Sequence, residues 1–298
     1  MRKFANICKM SQNQLKAYVT TELAKTHHRV IAEDGFVYAK GEIPVLLVAH
    51  LDTVHKSLPT EIYYDDMTNA LSSPQGIGGD DRCGVYMILK IVQMYNCSVL
   101  FCEDEEVGGR GADKFTDTDY AEPRQFNYII EFDRQGKNDA VFYDCDNPEF
   151  EKFITEDYYK TAMGTFSDIS VLAPYLGVAA VNLSCGYYKA HTTDEYVVIS
   201  QMEASIREAC RILDRTTEET KFEYIESKTA TKWGDWYDSL SYDEYYMIEY
   251  INEAGHTDIY EVFALSEAEA LGMFFMEHPT LSFQSIEGVY SEADVYTR

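Results

Sequence analysis

The stretch VLLVAHLD, residues Val45–Asp52, decides the fold of this chain. Five consecutive apolar residues predict a buried strand of a parallel sheet, which delivers His50 and Asp52 at its carboxyl end. Because side chains alternate along a strand, we expect His50 and Asp52 on one side and Leu51 on the other. Open α/β sheets carry their chemistry at this end of the strands. A lone His-x-Asp triplet is common, so the segments that follow it must decide whether this one is functional.

Acidic residues recur at the boundaries of the next predicted elements. A glycine-rich segment leads into Asp80 and Asp81, at the start of a nearly all-apolar helix predicted over residues 83–95. The apolar strand predicted over residues 98–102 runs directly into four consecutive acids, Glu103–Glu106. Four adjacent carboxylates repel one another unless solvent or a cation neutralises them. Their position at the end of a buried strand therefore points to a function.

Two later strands end in the same manner. The strand predicted over residues 128–133 finishes in Asp133, and the strand over residues 178–183 continues into a loop that carries His191. We expect all these polar side chains to meet at one edge of the sheet, because parallel strands present their carboxyl ends together.

The periodicity elsewhere predicts the helices that cover this sheet. Apolar residues with helical spacing predict helices over residues 11–26, capped by Ser11 with Gln14, and over residues 200–215, capped by Ser200 with Glu203. Helices are also expected over residues 147–160 and 167–175. Alternation around Asp34-Gly35 predicts a hairpin over residues 29–40. The fold class is therefore α/β, with a mixed, mostly parallel central sheet flanked by helices.

A change in composition near Thr216 marks the end of this domain. We assign residues 1–215 to the main domain and the polar residues 216–244 to a linker that packs partly against it. Residues 245–298 then spell β-β-α-β, with strands over 245–251, 259–265 and 281–286 and a helix that begins after Ser266. We expect this segment to form a small α+β module.

The charge balance excludes two classes of partner. Lys and Arg number 25 against 51 Asp and Glu, which gives a net charge of −26. Nucleic acids and anionic membranes both require a basic surface, so neither is an expected partner. Seven cysteines without CxxC pairing indicate buried free thiols in a reducing compartment. With no signal-peptide pattern and no apolar run of membrane-spanning length, the expected location is the cytoplasm.

The residue types that converge at the sheet edge indicate a divalent-metal site. Two imidazoles and several carboxylates form a mixed nitrogen and oxygen ligand set, which suits zinc and also cobalt or manganese. Five ligands with one shared carboxylate would hold two ions, the arrangement that clamps an attacking hydroxide and a carbonyl oxygen.

The order of these motifs resembles a known group of enzymes. The chain is similar to the co-catalytic dizinc peptidases, the M28, M20 and M42 group of aminopeptidases and their relatives, in the order of its motifs: HxD, GGDD, EE, D and a distal H. The resemblance covers roughly residues 10–215 and implies a zinc-exopeptidase-like fold and two zinc ions. The short interval between Asp133 and His191 is closest to the compact M28 layout.

The resemblance also implies a role for each residue. His50 would bind one metal ion, His191 the other, and Asp80 would bridge them, with Glu106 and Asp133 completing the two ligand sets.

Two further residues receive catalytic roles by the same comparison. Asp52 would orient the His50 imidazole, and Glu105 would be the general base that takes a proton from the attacking water. Arg82 stands where many relatives have another residue, and the C-terminal module lies outside the resemblance.

Several residues near the motifs keep a simpler interpretation. Asp81 is expected to cap the following helix rather than to bind metal. Tyr187 and Tyr188 either polarise a substrate carbonyl or merely form a wall of the site. The other histidines are expected to be ordinary surface or packed residues: His27, His28, His55, His256 and His278. For His55, a supporting role near the site is the alternative.

The sequence is compatible with three hypotheses of function. The first is an aminopeptidase that acts on a peptide or small amide substrate. The second is an M20-type carboxypeptidase, dipeptidase or N-deacylase, which needs a cation for the substrate carboxylate; Arg82, Arg110 and Arg134 are the basic residues close to the motifs. The third is a metal- or partner-binding protein without catalysis. A homo-oligomer is compatible with all three.

Overall fold

The computed structural model describes residues 1–164, 166–227, 244–252 and 256–264, together with residues 271, 274, 278, 281 and 285–291. The chain divides into two compact units, Met1–Lys228 and Thr229–Arg298. No helix among the described residues is long and apolar enough to cross a membrane.

The helices of the first unit are α1 (Arg2–Cys8), α2 (Gln12–Leu23), α3 (Gly79–Ile91), α4 (Arg110–Thr116), α5 (Pro148–Thr155), α6 (Asp168–Leu176) and α7 (Ile199–Asp214). Its strands are β1 (Val30–Glu33), β2 (Phe36–Ala39), β3 (Ile43–His50), β4 (Tyr63–Asp65), β5 (Ala70–Ser72), β6 (Cys97–Cys102), β7 (Tyr128–Arg134), β8 (Asp139–Val141), β9 (Lys160–Ala162), β10 (Ala180–Ser184), β11 (Tyr187–Tyr188) and β12 (Tyr196–Val198).

Strand β3 lies at the centre of an eight-stranded sheet in the order β1-β2-β6-β3-β7-β10-β8-β9. The four strands β6, β3, β7 and β10 run parallel to their neighbours in this group, whereas β2 and β8 flank the group in the antiparallel direction. The predicted mixed, mostly parallel sheet is confirmed. The hairpin around Asp34-Gly35 is also confirmed, because β1 and β2 pair across this two-residue turn.

Alternation along β3 divides the core into two layers. Val45, Leu47 and Ala49 pack on the side of α1, α2, α3 and α7, and Leu46 and Val48 pack on the side of α4 and α6. All five side chains are completely buried. Helices thus cover both faces of the sheet, which is why its strands are apolar throughout.

Helix α3 approaches the sheet closely because Gly84 has no side chain. A Cβ at this position would lie 1.9 Å from the carbonyl oxygen of Phe132 in β7. The regular helix begins later than its first residue, since Asp80 and Asp81 have non-helical backbone angles. The first turn is therefore free to present Asp80 to its surroundings.

A second sheet, β11-β12-β5-β4, is small and antiparallel. Its strands have only two or three residues, too few for a periodic signal in the sequence. The loop between β11 and β12 carries His191 and Glu195, and β5 leads into the glycine-rich segment before α3. This sheet therefore joins the His191 loop to the Asp80 loop.

Two helices differ from their predictions for identifiable reasons. Helix α5 ends at Thr155 instead of residue 160, because Lys160–Ala162 pairs with β8 as strand β9. Helix α7 is not capped by Ser200. Its first backbone N–H groups are satisfied by Asn69, whose carbonyl accepts from Ile199 at 3.0 Å and whose side chain accepts from Ser200 at 2.8 Å. A cap from a distant loop leaves no local sequence pattern.

The first unit contains all seven cysteines, and each is a free thiol, as predicted. The segment after α7 continues to pack on this unit: the backbone N–H of Phe222 donates to Asn127, and its carbonyl accepts from Ala179.

The second unit contains β13 (Glu244–Ile251), β14 (Thr257–Ala264) and β15 (Ile286–Ser291), in an antiparallel sheet with β13 at its centre. The first two strands lie where they were predicted, and the third begins at Ile286, the residue at which the predicted strand ended. Phe274 is completely buried against Tyr250 and Tyr260. Most of the helix predicted after Ser266 lies outside the described residues.

Candidate metal centre

The candidate site lies at the carboxyl edge of three adjacent strands. His50 ends β3, Glu105 and Glu106 follow β6, and Asp133 lies near the end of β7. The order β6-β3-β7 brings these three strand ends together. Two further side chains reach the same edge: Asp80 from the beginning of α3 and His191 from the β11–β12 loop.

Asp80 lies between the two imidazoles. Its Oδ1 is 3.0 Å from Nε2 of His50, and its Oδ2 is 3.2 Å from Nε2 of His191. Each carboxylate oxygen therefore faces a different imidazole, which is the placement required of a carboxylate that bridges two ions. Hydrogen bonds from these imidazoles lower the pKa of Asp80 even though burial opposes the shift.

Two other carboxylates complete the two groups. Asp133 Oδ1 lies 3.4 Å from Nε2 of His50, and Glu106 Oε2 lies 3.2 Å from Nε2 of His191. The ligand atoms of His50, Asp80 and Asp133 are all within 4.8 Å of one another, and so are those of Asp80, Glu106 and His191. The structure thus brings together the five predicted ligands in two groups that share Asp80. That these residues bind metal stays a prediction.

Asp52 holds three neighbours at once. Its Oδ1 lies 3.1 Å from Nδ1 of His50 and accepts the backbone N–H of Glu105 at 3.1 Å. Its Oδ2 accepts the backbone N–H of Glu106, also at 3.1 Å. One carboxylate therefore directs Nε2 of His50 toward Asp80 and fixes the turn that carries both glutamates.

Glu105 lies beside the two groups rather than within them. One of its carboxylate oxygens is within 4.8 Å of ligand atoms of His50 and Glu106. Burial, together with neighbouring carboxylates such as that of Asp133, raises the pKa of Glu105 to about 9. A general base must be ionised before it can accept a proton, and the positive charge of ions bound beside Glu105 would favour that ionised form.

The donor set fits two divalent cations. Burial and the charge of Asp80 raise the pKa of Asp133 to about 7, and hydrogen bonds to Asp80 and Glu106 raise that of His191 to about 11. The second oxygen of Glu106 is buried and has no hydrogen-bond partner among the described residues. Acidic groups packed this closely need a positive charge between them, and two ions of charge +2 would supply it.

A fully buried carboxylate that the sequence analysis missed supports the Asp80 loop. Glu195 accepts the backbone N–H of Gly78 at 2.7 Å and that of Asp80 at 2.9 Å. Its other contact is Nε2 of His55, at 2.9 Å. Glu195 follows His191 by four residues, so it ties the His191 loop to the Asp80 loop. His55 therefore supports the site through Glu195, which was the alternative interpretation of this histidine.

Asp81 and Arg82 point away from the metal-ligand groups. Asp81 accepts the N–H of Gly84 at 2.8 Å, which confirms its capping role, and also that of His50 at 3.3 Å. Arg82 is buried and donates to the carbonyls of Leu51 and Asp52 at 2.6 and 2.9 Å. Arg82 stabilises the chain after β3. Because it is buried and its guanidinium already binds these carbonyls, it is not available to bind a substrate carboxylate.

The other candidates near the site differ among themselves. The hydroxyl of Tyr187 is buried and donates to the carbonyl oxygen of Asp133 at 2.9 Å, whereas Tyr188 donates to Gln201 and stacks on Tyr196. The hydroxyl of Tyr187 therefore supports Asp133, and that of Tyr188 is directed elsewhere. Of the two remaining arginines, Arg134 lies 3.4 Å from Asp139, and Arg110 is exposed at the start of α4.

Comparison with known proteins gives a clear result for the fold. No protein-family model and no curated protein sequence matches the chain. Several solved structures, however, are similar to the chain. Aminopeptidase PepT from Bacillus cereus is 13% identical, with a TM-score of 0.59 over 72% of this chain and 96% of that chain.

Two further solved structures are also similar to this chain. An aminopeptidase from Desulfurococcus kamchatkensis is 16% identical, with a TM-score of 0.57 over 72% of this chain and 94% of that one. The TET1 peptidase of Pyrococcus horikoshii is 13% identical, with a TM-score of 0.52 over 71% and 97%. The chain therefore has the α/β fold of these peptidases.

Proposed function

We propose that this protein is a metallopeptidase that uses two divalent ions to remove the N-terminal residue of a peptide. The observation that carries the proposal is the position of Asp80, with one carboxylate oxygen toward His50 and the other toward His191. His50, Asp80 and Asp133 would hold one ion, and Asp80, Glu106 and His191 the other. Zinc is the ion that the sequence resemblance implies; this ligand set also accepts cobalt or manganese.

The bound ions would supply Lewis-acid activation of the substrate carbonyl and of the attacking water. Glu105 would take the proton of that water and deliver it to the leaving amine. Its partly buried position beside both groups supports this role, because a base must lie within hydrogen-bond reach of the proton it removes. Asp52 would keep His50 oriented and Glu105 in place through its three hydrogen bonds.

Two of the three arginines that a carboxypeptidase could use to hold a substrate carboxylate already have partners. Arg82 is buried against backbone carbonyls, and Arg134 lies beside Asp139. Two of the similar structures described above are named as aminopeptidases, so an aminopeptidase is favoured by analogy. A dipeptidase remains the second candidate because Lys56 lines a cavity beside His191.

A peptide panel tests the proposal. The protein, loaded with zinc, cobalt or manganese, is incubated with Leu-Gly-Gly, N-acetyl-Leu-Gly-Gly and an N-acetyl amino acid, and products are identified by mass spectrometry. We expect release of leucine from the free peptide, no cleavage of either blocked substrate, and loss of activity with a chelator. Release of glycine from N-acetyl-Leu-Gly-Gly would indicate a carboxypeptidase instead. Two bound ions without any hydrolysis would indicate a binding protein.

We extend the proposal to location and assembly. Seven free thiols, six of them buried, support the cytoplasm, where thiols remain reduced. The TET1 peptidase of Pyrococcus horikoshii assembles into a tetrahedron or a large octahedral shell, and by analogy we include a homo-oligomer in the proposal.

A further inference from the structure

A cavity of about 410 Å³ opens beside His191, on the loop that follows β3. Its volume lies within the range of roughly 300–1,000 Å³ that is usual for sites that bind small ligands. Because His191 belongs to its wall, a molecule in this cavity would adjoin the candidate metal centre. Part of a substrate bound at that centre would therefore extend into it.

The cavity has the opposite charge character to the rest of the chain. Although the chain has 51 acidic residues, no Asp or Glu lines the cavity among the described residues. Its wall carries the ammonium group of Lys56 and the neutral polar side chains of Ser57, Gln75 and Thr193. Each of these can donate a hydrogen bond. Among the described residues, no carboxylate forms an ion pair with Lys56.

The loop that presents Lys56 is anchored at two points on its N-terminal side. Before it, the guanidinium of Arg82 binds the carbonyls of Leu51 and Asp52. Next to Lys56 in the sequence, the imidazole of His55 pairs with the buried carboxylate of Glu195 at 2.9 Å. The chain that leads to Lys56 is thus held beside the metal centre, and a ligand must order the flexible side chain of Lys56.

We propose that this cavity is a carboxylate subsite and that Lys56 is its counter-charge. The inference rests on the proposed peptidase function and adds a substrate preference to it. A donor-lined cavity with one cation and no acid recognises an anion, and the anion that a peptide carries is a carboxylate. It can come from the C-terminus of a short peptide or from an Asp or Glu side chain next to the scissile bond.

Paired substrates separate these two sources. Ala-Ala-Ala is compared with its C-terminal amide, and Ala-Asp-Ala-amide with Ala-Asn-Ala-amide. We expect one pair to differ by about tenfold in kcat/KM in favour of the carboxylate, the low end for a hydrogen bond to a charged group, because Lys56 is exposed. The difference should lie mainly in KM and shrink as salt is added.

Three variants test whether Lys56 is responsible. Lys56→Ala should reduce the preference to about twofold or less, and Lys56→Glu should reverse it. Lys152→Ala, which removes an exposed lysine from α5, should leave the preference unchanged. If neither pair shows a preference, or if the pair that does keeps its ratio in Lys56→Ala, the subsite is overturned while the peptidase remains intact. If the metal-loaded wild type cleaves none of the peptides, the proposed function and the subsite both fail.

Discussion

Replacement of Glu105 by glutamine is expected to lower kcat by about 10²–10⁴-fold, the usual contribution of a general base. Glutamine has nearly the same shape as glutamate but cannot accept the proton of the attacking water. The proposed ligands are unchanged, and the two hydrogen bonds from the Glu105–Glu106 turn to Asp52 involve backbone groups. Metal content should therefore remain that of the wild type.

A neighbouring variant controls for damage to the turn. Asp104 has a φ of +61°, a conformation that asparagine tolerates well, so Asp104→Asn removes a carboxylate from the same turn with little strain. We expect this variant to retain activity within a few-fold of the wild type. A Glu105→Gln protein that keeps more than about a hundredth of the wild-type kcat would contradict the assigned role.

The second large effect is expected for Glu195→Gln. The carboxylate accepts two backbone N–H groups and pairs with His55, and it is completely buried. The glutamine side chain has only one oxygen, so its NH₂ group would face a backbone N–H of Gly78 or Asp80. The Asp80 loop would then shift. Changes in groups that support metal ligands typically lower metal affinity by about 10–100-fold, and we expect a loss of that size.

This effect must be distinguished from general instability. Metal affinity is measured by competition with a chelator, and thermal unfolding is followed without metal. Asp194→Asn is the matched control, because Asp194 is exposed in the same loop and its partner is Lys189 at 3.6 Å. Wild-type metal affinity in Glu195→Gln would show that Glu195 does not position Asp80. Equal losses in the two variants would point to the loop as a whole.

The sheet and the acidic residues that follow its strands were predictable from local patterns, whereas the roles of the candidate ligands were implied by the family resemblance. An uninterrupted apolar run such as Val45–Ala49 indicates a strand buried on both faces, and an acid or histidine directly after it identifies the functional edge. Parallel pairing of β6, β3 and β7 then brings these ends together.

Glu195 was not predictable because its partners are distant in sequence. It lies in a polar segment, HTTDE, that is typical of an exposed loop, yet it is completely buried. Its burial depends on backbone N–H groups of the Asp80 loop, more than a hundred residues earlier. The strands that hold the two loops together, β5 and β12, have three residues each and carry no periodic signal.

Arg82 and Ser200 are two residues whose local sequence pattern suggested a role that they do not have in the structure. Arg82 is charged and close to the motifs, which suggested a ligand-binding cation; the carbonyls it binds are in another segment of the chain. Ser200 has the spacing of a local helix cap, but Asn69 satisfies that helix end. In both cases tertiary hydrogen bonds override the local pattern.

Metal stoichiometry shows whether Asp80 is shared by two ions. The protein is equilibrated with excess zinc, desalted and analysed by elemental mass spectrometry, alongside Asp80→Asn. We expect two ions per wild-type chain and at most one per Asp80→Asn chain, because Asp80 faces both His50 and His191. A wild-type chain that retains no ion, or an Asp80→Asn chain that retains two, would contradict the shared carboxylate on which the proposed function depends.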